Sequence, residues 1–154
     1  MSSAIFEDIQ NFLGATRWEG SEIAPLVGDA SFRRYFRIRR GGQSAMLMHA
    51  PPPHEDPRPF LHVAEWLNAN GLRGPEILRE EAEKGWVLTE DFGDTRMKEW
   101  IDDHPDDEHD IYSKAIETLV RLHQLPPGPF EPYDMAVYQR EAALFLEWYC
   151  LAAG

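Results

Sequence analysis

The chain has 154 residues, of which 43% are hydrophobic and 12% aromatic. That is enough for a real core in one domain or one lobe of a larger enzyme, and it excludes a disordered chain. The net charge of −12 is uneven: residues 1–50 hold six arginines against five acids, whereas residues 51–154 hold 22 acids against nine bases. The concentrated positive charge therefore sits inside an acidic protein. This argues against nucleic-acid binding, which needs a broad basic surface, and leaves room for a local phosphate site. The single cysteine, Cys150, excludes an internal disulfide and reads as a small buried hydrophobe in a helical pattern. The first residues carry no basic stretch, and no segment approaches the ~18 apolar residues of a membrane span, so no membrane association is expected and the default compartment is the cytoplasm.

Residues 3–13 predict a short helix, with Ile5, Phe6, Ile9, Phe12 and Leu13 on one face and Gly14 to end it. A hairpin follows. Leu26-Val27 leads into the small, polar turn Gly28-Asp29-Ala30-Ser31 and out into an alternating strand. Phe32, Arg34, Phe36 and Ile38 share one face of that strand, and Ser31, Arg33, Tyr35, Arg37 and Arg39 share the other. Two readings stand for this stretch taken alone: an ordinary hairpin with a solvated basic face, or a turn whose backbone and arginines hold an anion such as a nucleotide phosphate. It is neither a P-loop nor a GxGxxG fingerprint.

Gly41-Gly42 marks a second tight turn, and residues 44–50 read as a third, mostly buried strand stopped by Pro51-Pro52-Pro53. A helix is expected at about 59–70, then strands at 76–80 and 85–90. After residue 93 the pattern turns helical, at 95–101, at 108–125 with Ile111, Tyr112, Ala115, Ile116, Leu119 and Leu122 turned inward, and from a cap at Asp134 to near the end. The consecutive charges at Asp106, Asp107, Glu108, His109 and Asp110 read as a solvated run. The aromatics of the last helix (Phe145, Trp148, Tyr149) want a partner surface, so self-association is expected.

Four segments together carry a family resemblance: Gly28-Asp29-Ala30-Ser31-Phe32-Arg33-Arg34-Tyr35-Phe36-Arg37, Ser44-Ala45-Met46-Leu47-Met48-His49-Ala50-Pro51-Pro52, Trp86-Val87-Leu88-Thr89-Glu90-Asp91-Phe92-Gly93-Asp94 and Glu141-Ala142-Ala143-Leu144-Phe145-Leu146-Glu147-Trp148-Tyr149. The chain resembles the amino-terminal part of the aminoglycoside-phosphotransferase-like kinases. Within them it is most similar to the bacterial cell-wall sugar kinases that phosphorylate the anomeric hydroxyl of N-acetylmuramate and N-acetylglucosamine.

The resemblance implies an α+β fold: a protein-kinase-like small lobe, with a five-stranded antiparallel sheet and one helix, over residues 1–92, then the first helices of the large lobe over 93–154. It implies ATP or GTP with Mg²⁺ as cofactor and an amino-sugar hydroxyl as substrate. Gly28, Asp29, Ala30 and Ser31 would lie over the phosphates, with Arg33 or Arg34 supplying positive charge. Glu90, Asp91 and Phe92 would form the hinge that holds adenine through its backbone. Leu26, Ala45 and Leu88 would wall the base.

The chain departs from the family pattern at three points. No lysine precedes Lys84, so the usual phosphate-holding lysine of the third strand is missing, and Met46, Met48 and His49 stand there. Asp91-Phe92-Gly93 spells the protein-kinase magnesium motif, yet it follows a strand where a hinge belongs and no HxDxxxxN loop precedes it. No catalytic base or metal-binding residue is assigned in the chain, because none of its six histidines opens that pattern. The expectation is an incomplete kinase, inactive by itself. The alternative is a non-catalytic, kinase-like binding or interaction module. Glu65, on the helix after the third strand, would either pair with a hairpin arginine or be a plain surface acid.

Overall fold

The computed structural model describes residues 3–27 and 31–153; Gly28, Asp29 and Ala30 of the expected phosphate turn lie outside them. The chain divides into two units, Met1–Gln124 and Leu125–Gly154.

The first unit opens with helix α1 (Ser3–Leu13), whose apolar residues recur at helical spacing and bury Ile5, Ile9, Phe12 and Leu13. Five strands follow: β1 (Glu22–Pro25), β2 (Arg34–Arg40), β3 (Gln43–His49), β4 (Ile77–Glu81) and β5 (Trp86–Glu90). They form one antiparallel sheet in the order β1-β2-β3-β5-β4. Helix α2 (Arg58–Ala69) carries the chain from β3 to the far edge, and β5 then returns between β3 and β4. The α+β fold with a five-stranded antiparallel sheet and one inserted helix is thus as expected for the small lobe.

The turn from β2 to β3 uses both glycines of the pair at positive φ, 55° at Gly41 and 78° at Gly42, the backbone such a two-residue hairpin demands. Gly85, between a 3₁₀ turn (Ala82–Lys84) and β5, is needed for two reasons. Its φ is 78°, and a Cβ there would stand 2.0 Å from the Ala50 carbonyl oxygen. The close approach lets the Ala50 N–H donate to the Gly85 carbonyl at 2.8 Å, tying the end of β3 to the start of β5.

Strand alternation gives the sheet two unlike faces. Phe36, Ile38, Ala45, Leu47, Trp86 and Leu88 pack under α1 and Trp18 as the core. The other face carries Ala24, Leu26, Tyr35, Arg37, Met46, Met48, Val87 and Thr89, by register with one another. His49 belongs to the α1 side, where its ring stacks on Trp86 at 3.9 Å and burial lowers its pKa.

Helices α3 (Met97–Asp103) and α4 (Glu108–Gln124) complete the first unit. The second unit holds α5 (Met135–Leu144), a π-helical turn (Phe145–Cys150) and the short α6 (Leu151–Ala153). Asp134 caps α5 as expected, its Oδ1 accepting from the Val137 N–H at 3.1 Å. Two expectations are corrected. Tyr112, Ile116 and Leu119 of α4 are exposed rather than inward, because periodicity identifies a stripe without supplying the surface to cover it. Cys150 is exposed rather than buried.

Gly85→Ala should lower unfolding free energy by about 2–4 kcal/mol, and Gly42→Ala, at a like φ with no atom within reach of its Cβ, by about 1 kcal/mol. Urea unfolding of both variants checks this; equal losses would mean that the contact with Ala50 is relaxed at no cost.

Candidate functional site

Two stretches expected to meet a nucleotide flank the face of the sheet that α1 leaves open. At one end, Leu26 extends the β1–β2 pairing, its N–H donating to the Tyr35 carbonyl at 2.9 Å. The segment re-entering at Ser31 is shaped locally by the Arg33 N–H donating to the Ser31 hydroxyl at 3.2 Å. It is also docked sideways onto the proline-rich loop. The Phe32 ring stacks on His54 at 4.9 Å, and Arg33 Nε lies 3.0 Å from Glu55 Oε2. The Glu55 hydrogen bond raises the Arg33 pKa.

Arg33 and Arg34, adjacent in sequence, are separated by strand alternation. Arg34 is opposite His49 in register and so belongs to the α1 side. Glu65 does not meet the hairpin arginines either. It lines a cavity of about 530 Å³ together with Leu61, Asn68, Ile77 and Glu80, and the acid that reaches Arg33 is Glu55.

At the other end, the chain leaves β5 as an irregular segment held by side chains rather than by the sheet ladder. Glu90 accepts both guanidinium branches of Arg73, at 2.5 and 2.8 Å, and the Glu76 N–H at 2.9 Å. The Arg73 hydrogen bond holds the Glu90 carboxyl below its usual range. The same guanidinium lies 4.8 Å from the ring of Phe92, which is otherwise exposed.

Asp91 points back onto the open face, where it meets Arg37 of β2. Arg37 Nε lies 2.7 Å from Asp91 Oδ2, and Nη2 donates to Asp91 Oδ1 at 3.2 Å. The outer nitrogens also donate to Asp94, Nη1 to Oδ2 at 2.6 Å and Nη2 to Oδ1 at 2.7 Å. The Arg37 side chain is only 9% exposed and that of Asp91 3%, whereas Asp94 is 82% exposed. The Gly93 N–H adds a 3.0 Å bond to Asp91 Oδ1 across a turn that Gly93 completes at φ 79°.

Hydrogen bonding to Asp94, then to Asp91, raises the Arg37 pKa, and Arg37 lowers that of Asp94. Burial alone would raise the Asp91 pKa, but the Gly93 amide, the Ser44 hydroxyl and Arg37 together bring it below its ordinary value. Asp91 Oδ1 thus accepts from two N–H donors, Gly93 and Arg37, whereas Arg37 Nε stands 2.7 Å from Oδ2 without hydrogen-bond geometry, a charge contact only. Among the described residues no three His, Cys, Asp or Glu side chains gather as a set to hold a metal ion.

Ala24 and Met46 are half-buried and Leu26 exposed on the open face, beside the row that also holds Arg37 and Thr89. Ala45 and Leu88, the other two expected walls, are corrected. Both are fully buried in the core under α1, so they have no surface to offer a base. Ala24 and Met46 occupy the positions that strand parity assigns to the open side. Parity alone could have found them, once the face covered by α1 was known. The role of Arg37 had no such local signal, because its partners lie 54 and 57 residues away.

The sequence model of the phosphotransferase enzyme family matches residues 22–153. The N-acetylmuramate/N-acetylglucosamine kinase of Pseudomonas aeruginosa is 38% identical over 130 residues, which cover 84% of this chain and 38% of that protein. The protein of the same name from Pseudomonas putida is 38% identical over 128 residues, 82% of this chain and 37% of its own. That of Caulobacter vibrioides is 29% identical over 174 aligned positions, with 89% of this chain and 48% of the relative covered. The chain spans less than half the length of these curated relatives. The family match runs from β1 through the whole sheet and into the last helix, and the chain belongs to the phosphotransferase enzyme family.

Proposed function

We propose that the chain is the nucleotide-binding half of an ATP- or GTP-dependent phosphotransferase whose acceptor is a hydroxyl of an amino sugar. The observation that carries this reading is the open sheet face. It offers a half-buried apolar strip at Ala24 and Met46, bordered by Leu26 on one side and by a strand exit held in place by two arginines on the other. An adenine or guanine ring suits that strip, and the backbone of Glu90, Asp91 and Phe92 would supply its polar partners. Gly28, Asp29, Ala30 and Ser31 would cover the phosphates, with Arg33 exchanging its bond to Glu55 for one to a phosphate oxygen. Arg34, on the α1 side, is left out of this set.

The names of the relatives favour N-acetylmuramate or N-acetylglucosamine as the acceptor, with the anomeric hydroxyl as the position phosphorylated. In this reading residues 1–92 are the small lobe and residues 93–154 begin the helical lobe. The base and the magnesium ligands would come from sequence corresponding to the rest of the relatives, so this chain binds nucleotide without turning it over. No helix among the described residues is long and apolar enough to cross a membrane, and the nucleotide pool places such an enzyme in the cytoplasm. The exposed Phe145, Trp148 and Tyr149 would drive self-association of the isolated chain.

Calorimetric titration with ATP and GTP, with and without Mg²⁺, tests the reading. Saturable binding of at least one nucleotide is expected, and no binding by the folded chain would overturn it. Arg33→Ala should weaken that binding by ~1–2 kcal/mol and Arg34→Ala should leave it unchanged; the reverse pattern would move the phosphates to the other face. In Asp91→Asn the ratio of affinities with and without Mg²⁺ should stay as in the unaltered chain, whereas its loss would make Asp91 a metal ligand after all.

A further inference from the structure

We infer that Arg37 is a positioning residue for the nucleotide base, acting through Asp91 and Asp94; the inference rests on the nucleotide reading above. The segment that leaves β5 has no ladder to set its path. Residues 91–96 are irregular, and a glycine in the left-handed region turns the chain at 93. A backbone that must present N–H and C=O groups to a ring needs placing to a fraction of an ångström. The arrangement that can do this is the fork of Arg37. Its two outer nitrogens make three hydrogen bonds to carboxylates of two residues three positions apart, and Nε adds a 2.7 Å charge contact, a span that a planar guanidinium covers and a point-charge ammonium does not.

The anchor is rigid because it is central. Arg37 lies mid-strand on β2, paired with Ala24 on one side and Met46 on the other. It is also six residues from Ser31 along the chain, so the segment re-entering at Ser31 leads directly into the strand that holds the exit. Arg73 also holds this part of the chain, through Glu90 and Phe92, but from an exposed position. The buried fork therefore determines the path and the exposed one supports it.

The inference separates base from phosphate. In Arg37→Lys, adenosine or guanosine, whichever base the unaltered chain prefers, should bind about tenfold more weakly, while inorganic tripolyphosphate binds within twofold of the unaltered chain. Asp94→Asn, at an exposed carboxylate whose loss leaves the Asp91 pair intact, should show the same selective loss at about threefold. It decides the matter if Arg37→Lys does not fold, as judged by its melting curve. Equal losses for nucleoside and tripolyphosphate, or none for either in folded Asp94→Asn, would overturn the positioning role and leave the nucleotide reading standing. Failure of the unaltered chain to bind ATP or GTP would remove both.

Discussion

Taking a guanidinium out of water costs several kcal/mol unless its donors are met by well-placed acceptors, and taking a carboxylate out costs as much again. Arg37 and Asp91 are both almost fully buried on one face of a β-sheet, and each is the other's compensation. Removing Arg37 would leave the Asp91 charge buried with only the Gly93 amide and the Ser44 hydroxyl to meet it, whereas removing Asp91 would leave Arg37 held by Asp94 alone. The pair therefore ties together two parts of the chain that sequence keeps far apart, the second strand and the exit from the fifth. Asp94, at the solvent edge, completes the fork, and the Gly93 amide and Ser44 hydroxyl spread the surplus negative charge over further donors.

That constraint matters because the face away from α1 keeps surface only in part, at Ala24, Leu26 and Met46, while Met48, Val87 and Thr89 on the same face are buried. The other is filled by α1, whose Ile9, Phe12 and Leu13 close over Phe36, Leu47 and Leu88. A side chain's availability for binding is thus decided by its parity along the strand. The same parity that buries Ala45 puts Met46 on the open side and puts Arg34, opposite His49, on the α1 side, whereas Arg33, before the strand begins, turns to Glu55. The missing third-strand lysine is consistent with this arrangement. The cation central to the open face belongs to β2 and is already committed to the strand exit, so its part is to hold a shape, and charge for phosphates would come from the turn region.

Much of this architecture was legible in the sequence where the signal is local. The 3.6-residue spacing of Ile5, Ile9 and Phe12 defined α1, the glycine pair at 41 and 42 defined the hairpin turn, and Asp134 marked the start of α5. The order of strands around one helix, joined to the segments at 28–37, 44–52, 86–94 and 141–149, was enough for the family. What was not legible depended on which surface covers which. Alternation separates two faces of a strand without saying that α1 will claim one of them, so Ala45 and Leu88 were assigned to the wrong side. Helical periodicity put Ile116 and Leu119 on one stripe, and the structure leaves that stripe exposed. The Arg37 fork joins residues more than fifty positions apart, and nothing local in either segment announces it.

The central claim is that the nucleotide lies on the open face between the β1–β2 turn and the strand exit. A ¹H–¹⁵N correlation spectrum of the chain titrated with its preferred nucleotide tests it most directly. The account predicts that the large amide shifts fall at residues 26–37, at Met46 and at residues 90–94, with α1 and the residues beneath it nearly silent. Saturable shifts centred on α1, or on the exposed stripe of α4, with the strand exit unmoved would contradict it.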